Sequence, residues 1–192
     1  MNPLSISRDI ILASKSPRRQ NLLKELGVEF EIKLKEVEEI YPPELKKEQV
    51  AIYLSELKST VFKEGIKEND LVITSDTIVC LRDEIIGKPT DRDDAIKMLG
   101  KLSSNKHEVI TAVTLLSKEK QHTFYDVTEV YFKSLTTAEI EYYIDNYQPF
   151  DKAGSYGVQE WIGYVAIEKI NGSYYNVMGL PVKKLYEELN NF

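Results

Sequence analysis

The sequence lacks the features that mark several large classes of protein. Its single cysteine, Cys80, excludes an internal disulfide and a zinc site built from cysteines. No apolar run approaches membrane-spanning length and the first residues contain no signal-peptide core, so we expect a cytoplasmic protein with no membrane partner. The two histidines, His107 and His122, do not have the spacing of metal ligands and are assigned no role.

Positive charge is also scarce. The chain has 25 Lys and Arg against 31 Asp and Glu, which gives a formal net charge of −6. A general nucleic-acid binder needs a basic surface, so no nucleic-acid partner is expected. The glycine-rich phosphate and dinucleotide motifs and the Gly-x-Ser-x-Gly motif are all missing. A phosphate ligand would therefore need a local basic cluster, carboxylates that hold a cation, or both.

The 192 residues, of which 42% are hydrophobic, suit one compact domain or two lobes that share a cleft. Strand-like and helix-like patterns alternate along the chain, with several hairpin signals. We predict an α/β fold whose mixed, partly antiparallel sheet is flanked by helices. The elements that matter below are a half-buried strand over 28–34, a helix over about 45–64, a buried strand over 71–81, and a hairpin at Asn171-Gly172 that joins strands over 167–170 and 174–177.

The most informative stretch joins a short apolar strand to a helix. Ser16 stands where a helix N-cap belongs, and Pro17 stands at the first helical position. Arg18 and Arg19 then fall in the first turn, where the helix dipole disfavours cations, and the hydroxyl of Ser14 lies just before. A bound anion, phosphate above all, would relieve this crowding of donors. The alternative is an ordinary capped helix with two solvated arginines.

Asp76 lies inside the predicted buried strand. A carboxylate in that position is costly unless it is paired, hydrogen-bonded or metal-bound, and Asp is a poor strand residue. One interpretation is a functional acid. The other is a structural Asp that bonds to Thr74, Thr77 or the backbone.

Two lysines allow both a structural and a functional interpretation. Lys88 is held between Gly87 and Pro89, which suits an ammonium placed on a phosphate, although a solvent-exposed loop lysine has the same pattern. Lys58 borders the apolar stripe of the predicted helix. It either extends its charge to solvent along that stripe or directs its charge into a cleft.

Two further segments have polar side chains suited to ligands. Glu38 and Glu39 end a strand-to-loop segment and form either a solvated edge or, with Asp76 and a phosphate, a magnesium-type site. The loop over 151–159 contains two glycines and is either a plain connection or a segment that wraps a ligand. Its last residue, Gln159, offers both a donor and an acceptor, which suits a base edge.

In this order, these segments resemble the Maf family of nucleoside triphosphate pyrophosphatases over nearly the whole chain. The resemblance is specific because several motifs occur in register, namely Leu12–Arg19, Ser75–Val79, Gly87–Pro89, the stretch Met98–Val113, Asp151–Gln159 and Asn176–Pro181. It implies a single Maf/ITPase-like domain over residues 1–192, with two lobes around a central cleft. It also implies a divalent cation, Mg²⁺ or Mn²⁺, cleavage between the α- and β-phosphates to a monophosphate and diphosphate, and a homodimer.

Residue roles follow from the same resemblance. It implies that Asp76 is catalytic and that Glu39 and Asp76 bind the metal ion. It assigns phosphate binding to four residues, Ser14, Arg19, Lys58 and Lys88.

The family divides by substrate at three positions, which here are Arg18, Thr77 and Gln159. These residues match the branch that acts on dTTP and UTP, whereas the branch that acts on 7-methyl-GTP has Trp, Gln and Glu there. The resemblance therefore implies a dTTP/UTP pyrophosphatase that also clears non-standard nucleotides. The alternatives are specificity of the 7-methyl-GTP type, or a nucleotide-binding regulator of cell division associated with septum formation.

The chain departs from the family pattern at three places. Ser75 replaces the usual alanine, and Ser104-Asn105 replaces a glycine-containing turn. Glu160 replaces a glycine and adds charge and bulk beside the predicted base pocket.

Overall fold

The structure is a computed structural model that describes Leu4 and residues 6–192. The chain divides into two compact units. The first unit contains the residues up to Asp76, Thr111–Asp126 and Gly179–Phe192, and the second contains Thr77–Ile110 and Val127–Met178. The single domain over 1–192 and the central cleft stay predictions.

Strands and helices alternate through much of the described chain. The strands are β1 (Asp9–Leu12), β2 (Glu31–Ile32), β3 (Asp70–Leu81), β4 (Glu84–Ile86), β5 (Lys106–Leu116), β6 (Gln121–Phe132) and β7 (Ile167–Asn171). The α-helices are α1 (Pro17–Glu25), α2 (Glu48–Thr60), α3 (Arg92–Leu102), α4 (Thr137–Tyr147), α5 (Trp161–Ala166), α6 (Tyr174–Met178) and α7 (Val182–Asn191), with a short 3₁₀ helix at Ala153–Ser155. Within the described part of the chain, no helix has the length and apolar character needed to cross a membrane.

The strands form one seven-stranded sheet in the order β2-β1-β3-β5-β6-β7, with β4 paired to β3. Strand β1 pairs in parallel with β2 and β3, whereas β3–β4 and β6–β7 are antiparallel pairs. The predicted mixed, partly antiparallel sheet with flanking helices is therefore confirmed.

Each unit has its own apolar cluster. In the first unit, Ile11 of β1 and Val72 of β3 pack with Phe62 and Leu116. In the second unit, the larger cluster is built from β3, β5 and β6 residues together with one face each of α3 and α4. Burial of these residues supplies the main driving force for folding, at about 25 cal/mol per Å² of apolar surface.

The start of α1 agrees with the sequence prediction. Ser16 is the N-cap and accepts a hydrogen bond from the Arg19 backbone N–H, and Pro17 is the first helical residue. Helix α2 lies inside the range predicted for it, and β3 covers the predicted buried strand with one further residue at its start.

The predicted hairpin at Asn171-Gly172 is wrong in its second half. Residues 167–170 lie in a strand as predicted, but this strand, β7, pairs with β6, and the segment from Tyr174 forms helix α6. Ser173 begins this helix because its side chain accepts from the Asn176 backbone N–H at 3.2 Å. The Ser173 backbone N–H in turn donates to the Thr128 hydroxyl at 3.0 Å, which fixes the chain where it turns.

The predicted half-buried strand over 28–34 is wrong in length. Only Glu31–Ile32 pair as a strand, and they pair with β1 at the edge of the sheet. Val28 is buried as the pattern predicted, but Ile32 and Leu34 are 47% and 49% exposed, so the later apolar side chains of the pattern are not covered.

His107 is enclosed in the second unit. Its Nε2 shares a hydrogen bond of 2.8 Å with the Tyr156 hydroxyl, and the rings of Phe132 and Tyr156 meet it edge-on. Burial lowers the pKa of His107 from 6.5 to about 4, because the protonated ring loses its hydration there.

The pKa of His107 makes stability depend on pH in a defined direction. Below its ordinary pKa of 6.5 the unfolded chain takes up a proton at His107, whereas the folded chain does so only near pH 4. The stabilisation is therefore complete above pH 6.5 and is lost as the pH falls toward 4. Between pH 7.5 and 5, we expect urea unfolding to show a loss about 2 kcal/mol larger in the wild type than in His107→Gln.

The exposed His122 supplies the matched control. His122→Gln is expected to keep the acid-dependent loss of the wild type, because this side chain is exposed at the surface and is not enclosed by the fold. Identical pH dependence in the wild type and His107→Gln would contradict the assignment.

Candidate functional site

The turn between β1 and α1 is tightly held. The Ala13 N–H donates to the Ile73 carbonyl at 2.9 Å, which continues the β1–β3 pairing one residue beyond β1. Buried Ser14 accepts from the Ser16 N–H through its hydroxyl at 3.2 Å, and its carbonyl accepts from Gln20 Nε2 at 3.1 Å. A serine hydroxyl can donate as well as accept, so Ser14 and the start of α1 form a suitable surface for an anion.

Arg19 is held by backbone carbonyls within the first unit. Its Nε donates to Gly179 O at 2.8 Å, and its Nη1 donates to Ser75 O at 2.9 Å. The second bond places the guanidinium beside the strand residue that precedes Asp76. Two of the five N–H donors of the side chain are used in this way, which fixes the plane of the guanidinium.

The charges around Arg19 act in opposite directions. Burial lowers the pKa of Arg19 from its ordinary value and the adjacent Arg18 lowers it further, whereas Asp76 and Glu39 raise it. An arginine stays protonated at neutral pH, so these effects do not change the charge of Arg19. They indicate instead which charged side chains lie near its guanidinium. Arg18, Asp76 and Glu39, which act on Arg19 in this way, all belong to the first unit.

The central contact of the site joins Asp76 to Lys58. Asp76 is only 7% exposed in the middle of β3, and its Oδ1 lies 2.5 Å from Lys58 Nζ. The same Nζ lies 3.1 Å from Glu39 Oε1, so two carboxylates meet at one ammonium. The ion pair compensates the cost of placing a carboxylate in a buried strand.

A hydroxyl network sets the register of α2 against β3. Ser55 Oγ donates to Thr74 O at 3.3 Å, Thr74 Oγ1 donates to Ser55 O at 2.7 Å, and Ser55 Oγ also meets Thr114 Oγ1 at 2.9 Å. Lys58 lies three residues beyond Ser55 on the same helix face, and Asp76 lies two residues beyond Thr74 on the same strand face. Because these hydrogen bonds hold Ser55 against Thr74, they also bring Lys58 next to Asp76.

The donor set at Lys58 bears on metal binding. Mg²⁺ is commonly held by one or two carboxylates together with waters and substrate phosphates. Asp76 and Glu39 converge closely enough to share an ammonium, so they suit such an ion. Among Leu4 and residues 6–192, no group of three or more His, Cys, Asp or Glu is placed to hold a metal ion without further ligands.

Two other predicted residues belong to the second unit. Lys88 is exposed in the loop after β4, and the Gly87 carbonyl in this loop accepts from the Gly154 N–H at 2.9 Å. Gln159 is partly exposed as a residue, but its Oε1 is buried and has no hydrogen-bond partner within the described residues. Partly buried Thr77 directly follows Asp76 in β3.

The structure groups most of the predicted site residues within the first unit. These are Ser14, Arg18, Arg19, Glu39, Lys58 and Asp76. The remaining three, Thr77, Lys88 and Gln159, belong to the second unit. Their roles at one site, like the roles assigned to the others, stay predictions.

Sequence reasoning missed the backbone partners of Arg19 and the hydroxyl network. The Ser75 and Gly179 carbonyls have no side-chain signal, although Gly179 is in the left-handed region with φ of 109° and lies in a family motif. Ser55 and Thr74 are common residues whose contact depends on the packing of α2 on β3.

The fold and these charges define a class of protein, a mixed-sheet α/β protein with an acid–lysine pair beside a capped helix start. Comparison with known families identifies the class more closely. The family described as Maf-like protein matches residues 9–192, and the chain belongs to this family.

Relatives resemble the chain along almost all of its length. A protein of Flavobacterium johnsoniae named dTTP/UTP pyrophosphatase is 52% identical over 180 residues, which cover 94% of this chain and 93% of the relative. A protein of Parabacteroides distasonis with the same name is 47% identical over 184 residues, 95% of each chain. Among solved structures, the Ham1 protein of Staphylococcus aureus matches with a TM-score of 0.44 at 16% identity, covering 65% of this chain and 72% of its own, which is too distant to bear on the fold.

The pair formed by Lys58 and Asp76 gives a stability prediction. Lys58→Met leaves the buried Asp76 carboxylate without its ammonium and should lower the free energy of unfolding by about 3 kcal/mol. Adding Asp76→Asn should recover part of that loss, since a neutral amide is less costly to bury. Urea unfolding of the two single variants and the double variant measures both effects.

An exposed pair of the same kind provides the control. Lys101 Nζ lies 2.6 Å from Glu84 Oε1, but both side chains are half exposed. Lys101→Met should therefore cost less than about 1 kcal/mol. Equal losses in Lys58→Met and Lys101→Met would contradict the burial argument.

Proposed function

We propose that this chain is a nucleoside triphosphate pyrophosphatase that hydrolyses dTTP and UTP to the monophosphate and diphosphate. The observation that carries the proposal is the buried Asp76 carboxylate in contact with Lys58, whose ammonium also meets Glu39. Relatives at about 50% identity that bear the name dTTP/UTP pyrophosphatase support the substrate class. Activity on non-standard nucleotides, a cytoplasmic location and a homodimer belong to the same proposal.

A divalent cation, Mg²⁺ or Mn²⁺, is part of this proposal, and Asp76 and Glu39 are the residues that would hold it. When bound, such an ion neutralises phosphate charge and orients the phosphates for displacement.

Asp76 is proposed to act as the general base. Its Oδ1 contacts Lys58, so we assign to Oδ2 the proton removed from the attacking water. The water oxygen forms a bond to phosphorus of the α–β anhydride, and the bridging oxygen leaves with its electron pair. Because Lys58 holds the Asp76 carboxylate in place, the Asp76 side chain does not have to change its rotamer before Oδ2 accepts this proton.

Cationic groups of the first unit would stabilise the charge that develops on the phosphates. The start of α1 supplies backbone N–H groups, Ser14 supplies a hydroxyl, and Arg19 and Lys58 supply fixed positive charges. The family resemblance extends phosphate binding to Lys88 of the second unit.

The base is assigned to the three residues that distinguish the branches of the family, Arg18, Thr77 and Gln159. Uracil and thymine present an N3–H donor beside an O4 acceptor, and the Gln159 amide can complement both. The buried Oε1 of Gln159 lacks a donor within the described chain, which suits an acceptor that meets N3–H of a ligand.

Release of diphosphate from a nucleotide panel, with and without Mg²⁺, tests the function. We expect turnover of dTTP and UTP with Mg²⁺, and we expect Asp76→Asn to lower kcat by about 1,000-fold while the protein stays folded. Asp83→Asn, at an exposed turn, is the matched control and should keep full activity. Release from no nucleotide would favour a nucleotide-binding regulator, and turnover of 7-methyl-GTP alone would favour the other branch.

The role of Glu39 is tested by the dependence of activity on the metal ion. Glu39→Gln removes one proposed charged ligand and should raise the Mg²⁺ concentration for half-maximal activity by about tenfold. Calorimetric titration of Mn²⁺ into the protein with α,β-imido-UTP should show a similar loss of affinity. Glu36→Gln, at a side chain that is 95% exposed, should leave both values unchanged, and a Glu39→Gln variant that behaves likewise would exclude Glu39 from the metal site.

A further inference from the structure

A tight turn places Gln159 in the second unit. The Glu160 N–H donates to the Gly157 carbonyl at 3.0 Å, so Gln159 occupies the third position of a four-residue turn. The Gly163 N–H donates to the Glu160 carbonyl at 2.8 Å. A Cβ at Gly163 would lie 1.8 Å from the Val158 carbonyl oxygen, so the backbone of α5 packs directly on this turn.

One hydroxyl joins both ends of the turn. Tyr143 accepts from the Gly157 N–H at 3.0 Å and donates to Glu160 Oε2. The other carboxylate oxygen, Oε1, lies 3.2 Å from Lys152 Nζ. Tyr143 is fully buried, and the Lys152 side chain is only 9% exposed, so these contacts form away from water.

The glycine at 157 leaves room for this arrangement. A Cβ added there would lie 2.7 Å from the carboxyl carbon of Glu160. The Glu160 side chain therefore folds back over the Gly157 backbone to reach Tyr143 and Lys152. We call Tyr143, Lys152 and Glu160 the clamp.

A clamped turn has a consequence for base recognition. A glutamine amide that complements the N3–H and O4 of uracil complements the N3 and N4–H of cytosine equally well after a half rotation. The side chain therefore separates the two bases only if its orientation is fixed. In this structure the Gln159 Oε1 is enclosed, and the backbone that bears the side chain is tied at both ends of the turn.

We infer that the clamp positions Gln159 so that its amide favours uracil over cytosine, which makes Tyr143 and Glu160 specificity-determining positioning residues. This inference rests on the proposed function. It assigns a role to Glu160, the residue at which this chain departs from the family glycine. The carboxylate acts through the turn and needs no contact with the base.

The test is the ratio of kcat/KM for UTP to that for CTP. Tyr143→Phe removes both hydroxyl contacts and should lower the ratio about tenfold, through a higher KM for UTP with a nearly unchanged kcat. Glu160→Gly should have a similar effect. Glu160→Gln keeps an acceptor for Tyr143 and should retain most of the ratio, and it remains informative if Tyr143→Phe does not fold.

A double-variant experiment separates positioning from a general effect on folding. Gln159→Ala should bring the ratio close to one, and adding Tyr143→Phe should then change it no further, because the clamp acts through Gln159. Tyr131→Phe is the matched control, since its hydroxyl donates to Glu129 Oε2 at 3.0 Å outside the clamp. This control should keep the ratio of the wild type.

The possible results separate a failure of the proposed function from a failure of the inference about the clamp alone. A wild type that hydrolyses neither UTP nor dTTP overturns the proposed function and this inference with it. A wild type that hydrolyses UTP but shows no preference over CTP overturns the inference alone. Lower stability in Tyr143→Phe and Glu160→Gly with an unchanged ratio also overturns it, since a purely structural clamp would give that result.

Discussion

The contact between Lys58 and Asp76 is the interaction on which the rest of the first unit depends. A carboxylate in the middle of a buried strand destabilises the fold unless a cation or hydrogen bonds compensate for its lost hydration. The helix that supplies the cation is held to the same strand by the reciprocal hydroxyl bonds of Ser55 and Thr74. Because the ammonium also meets Glu39, the same lysine compensates the buried Asp76 and holds together the two acids proposed to bind a divalent ion. The contact that stabilises the buried Asp76 carboxylate therefore also keeps it near Glu39, its partner in the proposed metal site.

The proposed function assigns the phosphates and the base of the nucleotide to different kinds of local structure. Phosphates need donors and positive charge, which the first unit offers at the start of α1 and at Arg19. A base edge needs one polar group in a fixed orientation, a role that we propose for Gln159, whose turn is held by the clamp. Backbone carbonyls hold the Arg19 guanidinium, whereas the side chains of Tyr143 and Glu160 hold the turn that bears Gln159. This division accounts for a protein of net charge −6 that is proposed to act on a polyanion, because the positive charge is needed only locally.

The sequence was most predictive where local chemistry decides the structure. Ser16 and Pro17 determine the start of α1, and the apolar run around Asp76 determines a buried strand, so both were predicted. The turn at Asn171-Gly172 was misassigned because the following serine finds a partner across the fold and begins a helix. The resemblance implied that Glu39 lies with Asp76, but the contact of Glu39 with Lys58 was not predicted, since it depends on packing between distant segments. The clamp was not predicted at all, because nothing in the local pattern around Glu160 indicates that its side chain turns back toward a buried tyrosine.

The most direct test is a crystal structure of the protein with Mg²⁺ and α,β-imido-UTP, in which the scissile bond resists hydrolysis. We expect a triphosphate seated at the start of α1, with phosphate oxygens near Ser14 and Arg19. We also expect an ion in contact with the carboxylates of both Asp76 and Glu39. A complex in which the triphosphate binds elsewhere and the ion touches neither carboxylate would contradict the proposed function.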